Sequence, residues 1–261
     1  MTATCLNGDC LELMKDLPDK SVDLFLCDLP YGCLTGGGGK ERKKRVEKYG
    51  EGGAIITGGC PWDIKIDLVA FWEQVKRLCK NDNTPVLMFC NTKFGVDLIT
   101  SNPSWFRYDL VWNKNIGTNF LNANTRPMSS HEMIYVFSKK GSFYKRIDHF
   151  VVGRKSYENK GGSVRDGNCF GMNRQRKALQ QEEGMRCPLS VLNFDMNHDK
   201  RHPTAKTIPL LKWLIERYSN EADTVLDPTA GSFNSGRAAV ELGRNYIGIE
   251  MDANFYEKNK L

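Results

Sequence analysis

Short apolar runs alternate along the chain with stretches whose apolar residues recur every three or four positions. The runs Val22–Cys27, Val86–Cys90, Leu110–Trp112, Met133–Phe137, Thr224–Leu226 and Tyr246–Ile249 predict strands. Between them, Leu68, Phe71, Trp72, Val75, Leu78 and Cys79 share one helical face. A second face is built by Ile208, Leu211, Leu214, Ile215 and Tyr218, with Pro209 tolerated in the first turn. Ala238 to Leu242 closes a further helix, and Gly243 is placed as its stop. Strands bounded by helices in this way predict a doubly wound, mostly parallel α/β sheet.

Two stretches interrupt the rhythm. Residues 33–60 are rich in glycine and carry Lys-Glu-Arg-Lys-Lys-Arg-Val-Glu-Lys at 40–48, so a mobile loop is expected there. Residues 139–201 show neither period and predict a small insertion region. The remainder, 1–138 and 202–261, is read as one domain.

Composition narrows the class. The 261 residues are 40% hydrophobic, enough for a core. No apolar run approaches the roughly 20 residues that cross a bilayer, and Met1 to Asp9 lacks the apolar region of a signal peptide. The nine cysteines form no Cys-x-x-Cys pair, and Cys27, Cys79 and Cys90 sit in apolar stretches. They read as reduced core thiols of a cytoplasmic protein. The four histidines lack ligand spacing, so no metal site is expected.

The net charge of +6 is unevenly spread. Residues 139–201 hold 14 Lys and Arg against 7 Asp and Glu, and the run at 40–48 adds a second basic block. Solvated surface segments would explain this equally well, but so would a polyanionic partner.

Two motifs carry chemistry. Asp28-Leu29-Pro30-Tyr31-Gly32 follows the first predicted strand. In open α/β sheets the carboxyl ends of strands are where ligands bind. There a carboxylate and a proline-fixed carbonyl could take the two N–H groups of a planar amine while Tyr31 stacks on the ring. An ordinary strand-to-loop turn would also use Asp and Pro. The second motif, Asp227-Pro228-Thr229-Ala230-Gly231-Ser232, leads from a strand into a helix, and small residues there permit close approach of a ligand. About 20 residues on, Glu250 ends a strand where a carboxylate can grip ribose hydroxyls.

Together these motifs resemble the DNA amino-methyltransferases in their permuted, beta-class order: catalytic half, target-recognition region, cofactor loop. The matching pieces occur in sequence as Gly8-Asp9-Cys10 with Val22-Asp23, Asp28–Gly32, Trp62-Asp63 with Lys76-Arg77-Leu78, and Val111-Trp112-Asn113-Lys114. They continue with Ser130-His131-Glu132, His202-Pro203-Thr204-Ala205-Lys206, and Asp227–Ser232 with Gly248-Ile249-Glu250. The resemblance implies a circularly permuted, Rossmann-like methyltransferase fold and S-adenosylmethionine as cofactor.

By the same resemblance, Asp28, Leu29, Pro30 and Tyr31 would hold the target base. Asp9 would meet the cofactor's adenine, with Cys10 beside it, and Glu250 its ribose. Asp227, Pro228, Ala230, Gly231, Ser232, Phe233 and Asn234 would enclose its methionine part, with Lys206, and Thr204 near it, facing the methionine carboxylate. Phe233 stands where the family usually has glycine, and Thr207 where it usually has proline.

Double-stranded DNA is the implied partner, and a homodimer is compatible with the family although no heptad or apolar stripe encodes one. Lys40, Arg42, Lys43, Lys44 and Arg45 are candidate phosphate contacts, as are Arg154, Lys155, Arg174, Arg176 and Lys177 in the target-recognition region.

Aspartate at position 28 favours adenine N6, whereas the family's cytosine-N4 enzymes more often carry serine there. A cytosine-N4 methyltransferase and a catalytically silent DNA-binding relative or partner subunit are the alternatives. Carbon-5 methylation would need a Pro-Cys pair, and the chain has only Cys60-Pro61 and Cys187-Pro188.

Overall fold

A computed structural model describes residues 1–32, 64–152, 157–159, 179–181, 183–196 and 201–261. The described residues divide into two compact units, one of Met1–Lys145 with Ser190–Leu261 and one of Arg146–Leu189. The first unit is therefore wider than expected, because residues 139–145 and 190–201 belong to it rather than to the insertion.

Its strands are β1 (Ala3–Asn7), β2 (Leu24–Cys27), β3 (Val86–Cys90), β4 (Phe106–Thr118) and β5 (Ser129–Phe137). The second unit holds β6 (His149–Phe150), β7 (Tyr157–Asn159), β8 (Leu179–Gln181) and β9 (Met185–Arg186), paired antiparallel as β6 with β9 and β7 with β8. The first unit resumes with β10 (Val191–Asn193), β11 (Thr224–Asp227) and β12 (Asn245–Glu250). Its helices are α1 (Cys10–Leu13), α2 (Leu68–Leu78), α3 (Thr92–Ser101), α4 (Ile208–Tyr218), α5 (Asn234–Glu241) and α6 (Ala253–Asn259).

Eight strands form one sheet in the order β1-β12-β11-β2-β3-β5-β4-β10. Neighbours from β1 to β3 are parallel, β5 is antiparallel to both β3 and β4, and β10 runs parallel to β4. This is the mostly parallel, doubly wound α/β sheet expected. All six predicted strands are present, and β4 and β5 extend well beyond the expected Leu110–Trp112 and Met133–Phe137.

Alternation along each buried strand supplies a core to both faces. Phe25 and Cys27 of β2 pack with Phe71, Trp72, Val75 and Leu78 of α2. Leu24 and Leu26 face the other side, against Leu210, Leu211, Leu214 and Ile215 of α4. Asp67 caps α2 by accepting from the Val69 and Ala70 amides, and Pro209 sits in the first turn of α4, where no amide proton is needed. Among the described residues, no helix is long and apolar enough to cross a membrane.

The topology matters for chemistry because β1, β12, β11, β2 and β3 are parallel and end on one edge of the sheet. Asp9, Glu250, Asp227, Asp28 and Asn91 lie at or just beyond those ends. Four carboxylates on one edge of an otherwise apolar sheet define where a site must be sought.

Candidate active site

The turn leaving β2 is fixed locally. Gly32 adopts φ +66°, and a β-carbon there would meet Lys65 Cγ at 2.8 Å, so glycine closes the turn after Pro30-Tyr31. Tyr31 rests one ring face on Phe94 of α3, centroids 5.1 Å apart. Asn91 starts that helix by accepting from the Phe94 amide at 2.8 Å. Leu29 is buried in the core, which leaves Asp28, Pro30 and Tyr31 partly exposed at the cleft.

Asp28 is the hub of a polar cluster. Its Oδ1 accepts from the Tyr31 hydroxyl at 2.8 Å, and its Oδ2 lies 2.5 Å from Lys206 Nζ. The Tyr31 hydroxyl is also 2.7 Å from Glu132 Oε1. Glu132, in β5, stands 3.3 Å from Lys206 and receives Lys114 of β4 on its other oxygen at 3.0 Å. Burial alone would raise the Glu132 carboxyl, but Lys206 and Lys114 outweigh it and hold the group at about 2. Asp28 is pushed upward, by burial first and by the Glu132 charge, despite Lys206. One carboxylate is firmly ionised while the other has a raised proton affinity.

The second motif faces the same cleft. Gly231 takes φ +49° and donates its amide to Glu250 Oε2 at 2.7 Å, while the Asp252 amide donates to Glu250 Oε1 at 2.8 Å. Each carboxylate oxygen keeps a lone pair for a further donor. Arg237 reaches the Ser232 carbonyl at 2.7 Å, and Asn259 donates to the Gly231 carbonyl at 3.0 Å, so the end of the chain fastens the loop. Asp227 accepts from Ser235 at 2.5 Å, and burial lifts its carboxyl to about 7. Ala230 and Ser232 are buried, and Thr229 Oγ1 is a buried hydroxyl without a hydrogen-bond partner in the described structure.

Phe233 is accommodated rather than tolerated at the surface. It adopts φ 53° and is fully buried, its ring edge-on to Tyr256 with centroids 6.2 Å apart. Being buried behind the loop, it does not line the cleft. Asn234 ties the loop to the segment before α4 by donating to the Lys206 carbonyl at 2.9 Å.

One cleft of about 1820 Å³ is lined by residues of both motifs. Asp28 to Tyr31, Asp227 to Ser232, Asn234 and Glu250 all border it, as do Asp9, Cys10, Thr204, Lys206 and Pro228. That is larger than the roughly 300–1,000 Å³ of a small-molecule pocket. Asp9 also caps α1, accepting from the Leu11 amide at 2.8 Å, and burial pushes the Cys10 thiol up to about 12. Thr204 Oγ1 lies 3.1 Å from His202 Nδ1, and the His202 ring packs beside Gly231. Burial, and then the Lys206 charge, hold that imidazole down to about 4, so it is neutral at ordinary pH.

Lys206 is brought to the cleft, but its ammonium lies on Asp28 and Glu132. The ten basic residues named as phosphate contacts lie outside the described residues, as does the stretch 33–60. Lys114 and Glu132 end the segments Val111–Lys114 and Ser130–Glu132, yet nothing in the sequence gives either a role. Their meeting depends on the pairing of β4 with β5.

The sheet order and the two strand-end motifs define an α/β methyltransferase fold. A family model described as DNA methylase matches residues 22–260, and the chain belongs to this family of DNA methyltransferases. Similar proteins include the type II methyltransferase M.HinfI of Haemophilus influenzae, 30% identical over 97% of this chain and 66% of its own length. The DNA adenine methyltransferase YhdJ of Escherichia coli (strain K12) is 28% identical over 97% of this chain and 79% of its own. Among solved structures, the M1.HpyAVI–SAM complex superposes with a TM-score of 0.56 at 19% identity, covering 99% of this chain and 98% of the other. The PvuII DNA methyltransferase, described as cytosine-N4-specific, gives 0.62 at 14% identity, covering 99% and 85%.

Proposed function

We propose that this protein transfers a methyl group from S-adenosylmethionine to the N6 amine of an adenine in double-stranded DNA. The observation that carries the reading is the placement of the Asp28–Tyr31 turn and the Asp227–Ser232 loop on one cleft, with Glu250 beside the latter. The adenine in the name of the similar protein YhdJ and the aspartate at position 28 favour N6 over cytosine N4.

The donor set suits the cofactor. Glu250 offers lone pairs to a diol, the loop supplies small residues, and the orphaned Thr229 hydroxyl provides a polar group that a ligand can satisfy. Bound there, the cofactor supplies an electrophilic methyl on a sulfonium.

The chain's part is positioning and charge. An aromatic amine is a poor nucleophile because its lone pair is delocalised into the ring. Accepting one N–H at Asp28 and the other at a proline-fixed carbonyl favours a pyramidal nitrogen and stabilises the cation that develops on it. The target base must leave the duplex stack, and Tyr31, already backed by Phe94, offers a face for it. The basic residues at 40–45, 154–155 and 174–177 are assigned to the phosphate backbone, and the region around 139–201 to target recognition. The buried thiols Cys27, Cys79 and Cys90 suit a reducing, cytoplasmic setting.

Incubating the protein with labelled cofactor and mixed DNA, then identifying the modified nucleoside, tests the reading. N6-methyladenine is expected. N4-methylcytosine would move the assignment to the other amine, and no label in DNA would leave a silent relative.

A further inference from the structure

Between β4 and β5 the chain makes an excursion whose side chains are exposed from Asn119 to His131. Its base is pinned. Thr118 donates to the Ser129 carbonyl at 2.9 Å, and a β-carbon on Gly117 would meet Met128 at 2.8 Å. Its tip is wound tightly. Asn119 is left-handed at φ 72°, its side-chain oxygen accepts from Asn122 Nδ2 at 2.7 Å, and the Asn122 and Arg126 amides return to the Asn119 and Asn122 carbonyls at 3.0 Å each.

A turn so bonded fixes its backbone, yet it buries none of its apolar side chains. Phe120 is 75% exposed and Leu121 70%. Two large apolar residues side by side on a fixed, solvated tip are costly unless something covers them. Both border the cleft that holds Asp28 and Tyr31, as does the exposed Arg126.

We infer that Phe120 and Leu121 form a wedge that enters the base stack of duplex DNA and fills the space left by the flipped base. The inference rests on the proposed methylation of a flipped adenine and deepens it by naming what replaces that base in the duplex. Three features select DNA over a protein partner. The patch is continuous with the reaction cleft, it is small enough for a single base step, and Arg126 with Asn119, Asn122 and Asn124 surrounds it with donors suited to phosphates and base edges.

The test compares wild type with Phe120→Ala, Leu121→Ala and Phe120→Trp at the adenine that the wild-type enzyme methylates. Both positions are exposed, and thermal melting checks that the variants fold. On duplex DNA Phe120→Ala should lower kcat/KM on the order of tenfold to a hundredfold for a lost stacking contact and Leu121→Ala should lower it less, while Phe120→Trp keeps most of it. With an abasic site opposite the target the deficit should shrink, because the base then leaves the stack easily. Fluorescence of 2-aminopurine at the target should rise less with the alanine variants. Unchanged duplex rates, an equal deficit on both substrates, or an altered oligomeric state in the variants would each overturn the wedge. Absence of any methylated base with the wild type would instead strike the proposed function.

Discussion

The Tyr31 hydroxyl lies 2.7 Å from Glu132 and 2.8 Å from Asp28, and a phenol has one proton to give. Two fully ionised carboxylates cannot both be served by it. Lys206 bridges the same pair, closer to Asp28 than to Glu132. An amine N–H at Asp28 would compete with that ammonium for the oxygen's lone pairs, and Glu132 is the carboxylate placed to draw the ammonium away. Glu132 is thus a positioning residue.

Glu132→Gln should therefore leave Lys206 on Asp28 alone. We expect kcat to fall, on the order of tenfold to a hundredfold for a misplaced acceptor, with little change in KM for DNA. The acidic limb of the kcat profile should move to lower pH, because the Glu132 charge is one of the causes raising Asp28. The other charged or titratable groups around Asp28 are Lys206, Tyr31, Asp227, the buried thiols Cys27 and Cys90 and, through Glu132, Lys114. In a Lys206→Met background the additional loss from Glu132→Gln should largely disappear. An unmoved pH limb together with wild-type kcat would show that Glu132 only supports the fold.

The strand-end motifs could be read from local signals alone. A run of buried apolar residues followed by Asp-Leu-Pro-Tyr-Gly announces both the strand and its end, and the turn chemistry of Pro30 and Gly32 confirms it. The polar cluster could not. Lys206 and Asp28 are 178 positions apart, and Tyr31 and Glu132 are 101 apart, so only the sheet order brings them together. Edge strand β1 escaped because Ala3–Asn7 is half exposed and lacks a hydrophobic run. The ends of β4 and β5 escaped for the same reason, their residues beyond the sheet core being polar and solvated. Helix α3 has buried residues at Phe94, Gly95 and Leu98, a stripe too short to register as a period.

Phe233 offers a test of backbone strain. Left-handed backbone costs a non-glycine residue roughly 1–2 kcal/mol, which burial of the ring, at about 1.5–3 kcal/mol, offsets. Phe233→Ala keeps the strain and leaves a cavity, so a loss of about 3–5 kcal/mol is expected in denaturant melts. Phe233→Gly relieves the strain and should be no less stable than the alanine variant, despite its smaller side chain. A glycine variant clearly weaker than alanine would contradict the left-handed conformation.

Glu250 is both a ligand group and a clasp. Glu250→Ala should weaken S-adenosylmethionine binding by about 1.5–3 kcal/mol for each charge-assisted bond lost, read by calorimetry. It also orphans the Gly231 and Asp252 amides, so thermal stability should fall even without cofactor. DNA affinity should hardly change. Unaltered cofactor affinity would remove Glu250 from the ribose site.

Asp227 should make the protein's stability depend on pH around neutrality. Its carboxyl is lifted to about 7 in the fold by burial, against about 3.9 in an unfolded chain. Between those values the folded state binds a proton that the unfolded state has released. Stability is therefore fully present below about pH 4 and declines as pH rises towards 7, by up to about 1.4 kcal/mol per unit. The melting temperature should be higher at pH 5.5 than at 7.5. Asp227→Asn can still accept from Ser235 and should flatten that slope, though not abolish it, since burial also raises Asp28 and Glu250. Cofactor affinity supplies an independent reading. A sulfonium cation favours an ionised neighbour, so binding should tighten as pH rises through 7 in the wild type and do so less steeply in Asp227→Asn. Identical pH slopes for the two proteins would mean that Asp227 is ionised throughout, with Ser235 and the Thr229 amide outweighing its burial.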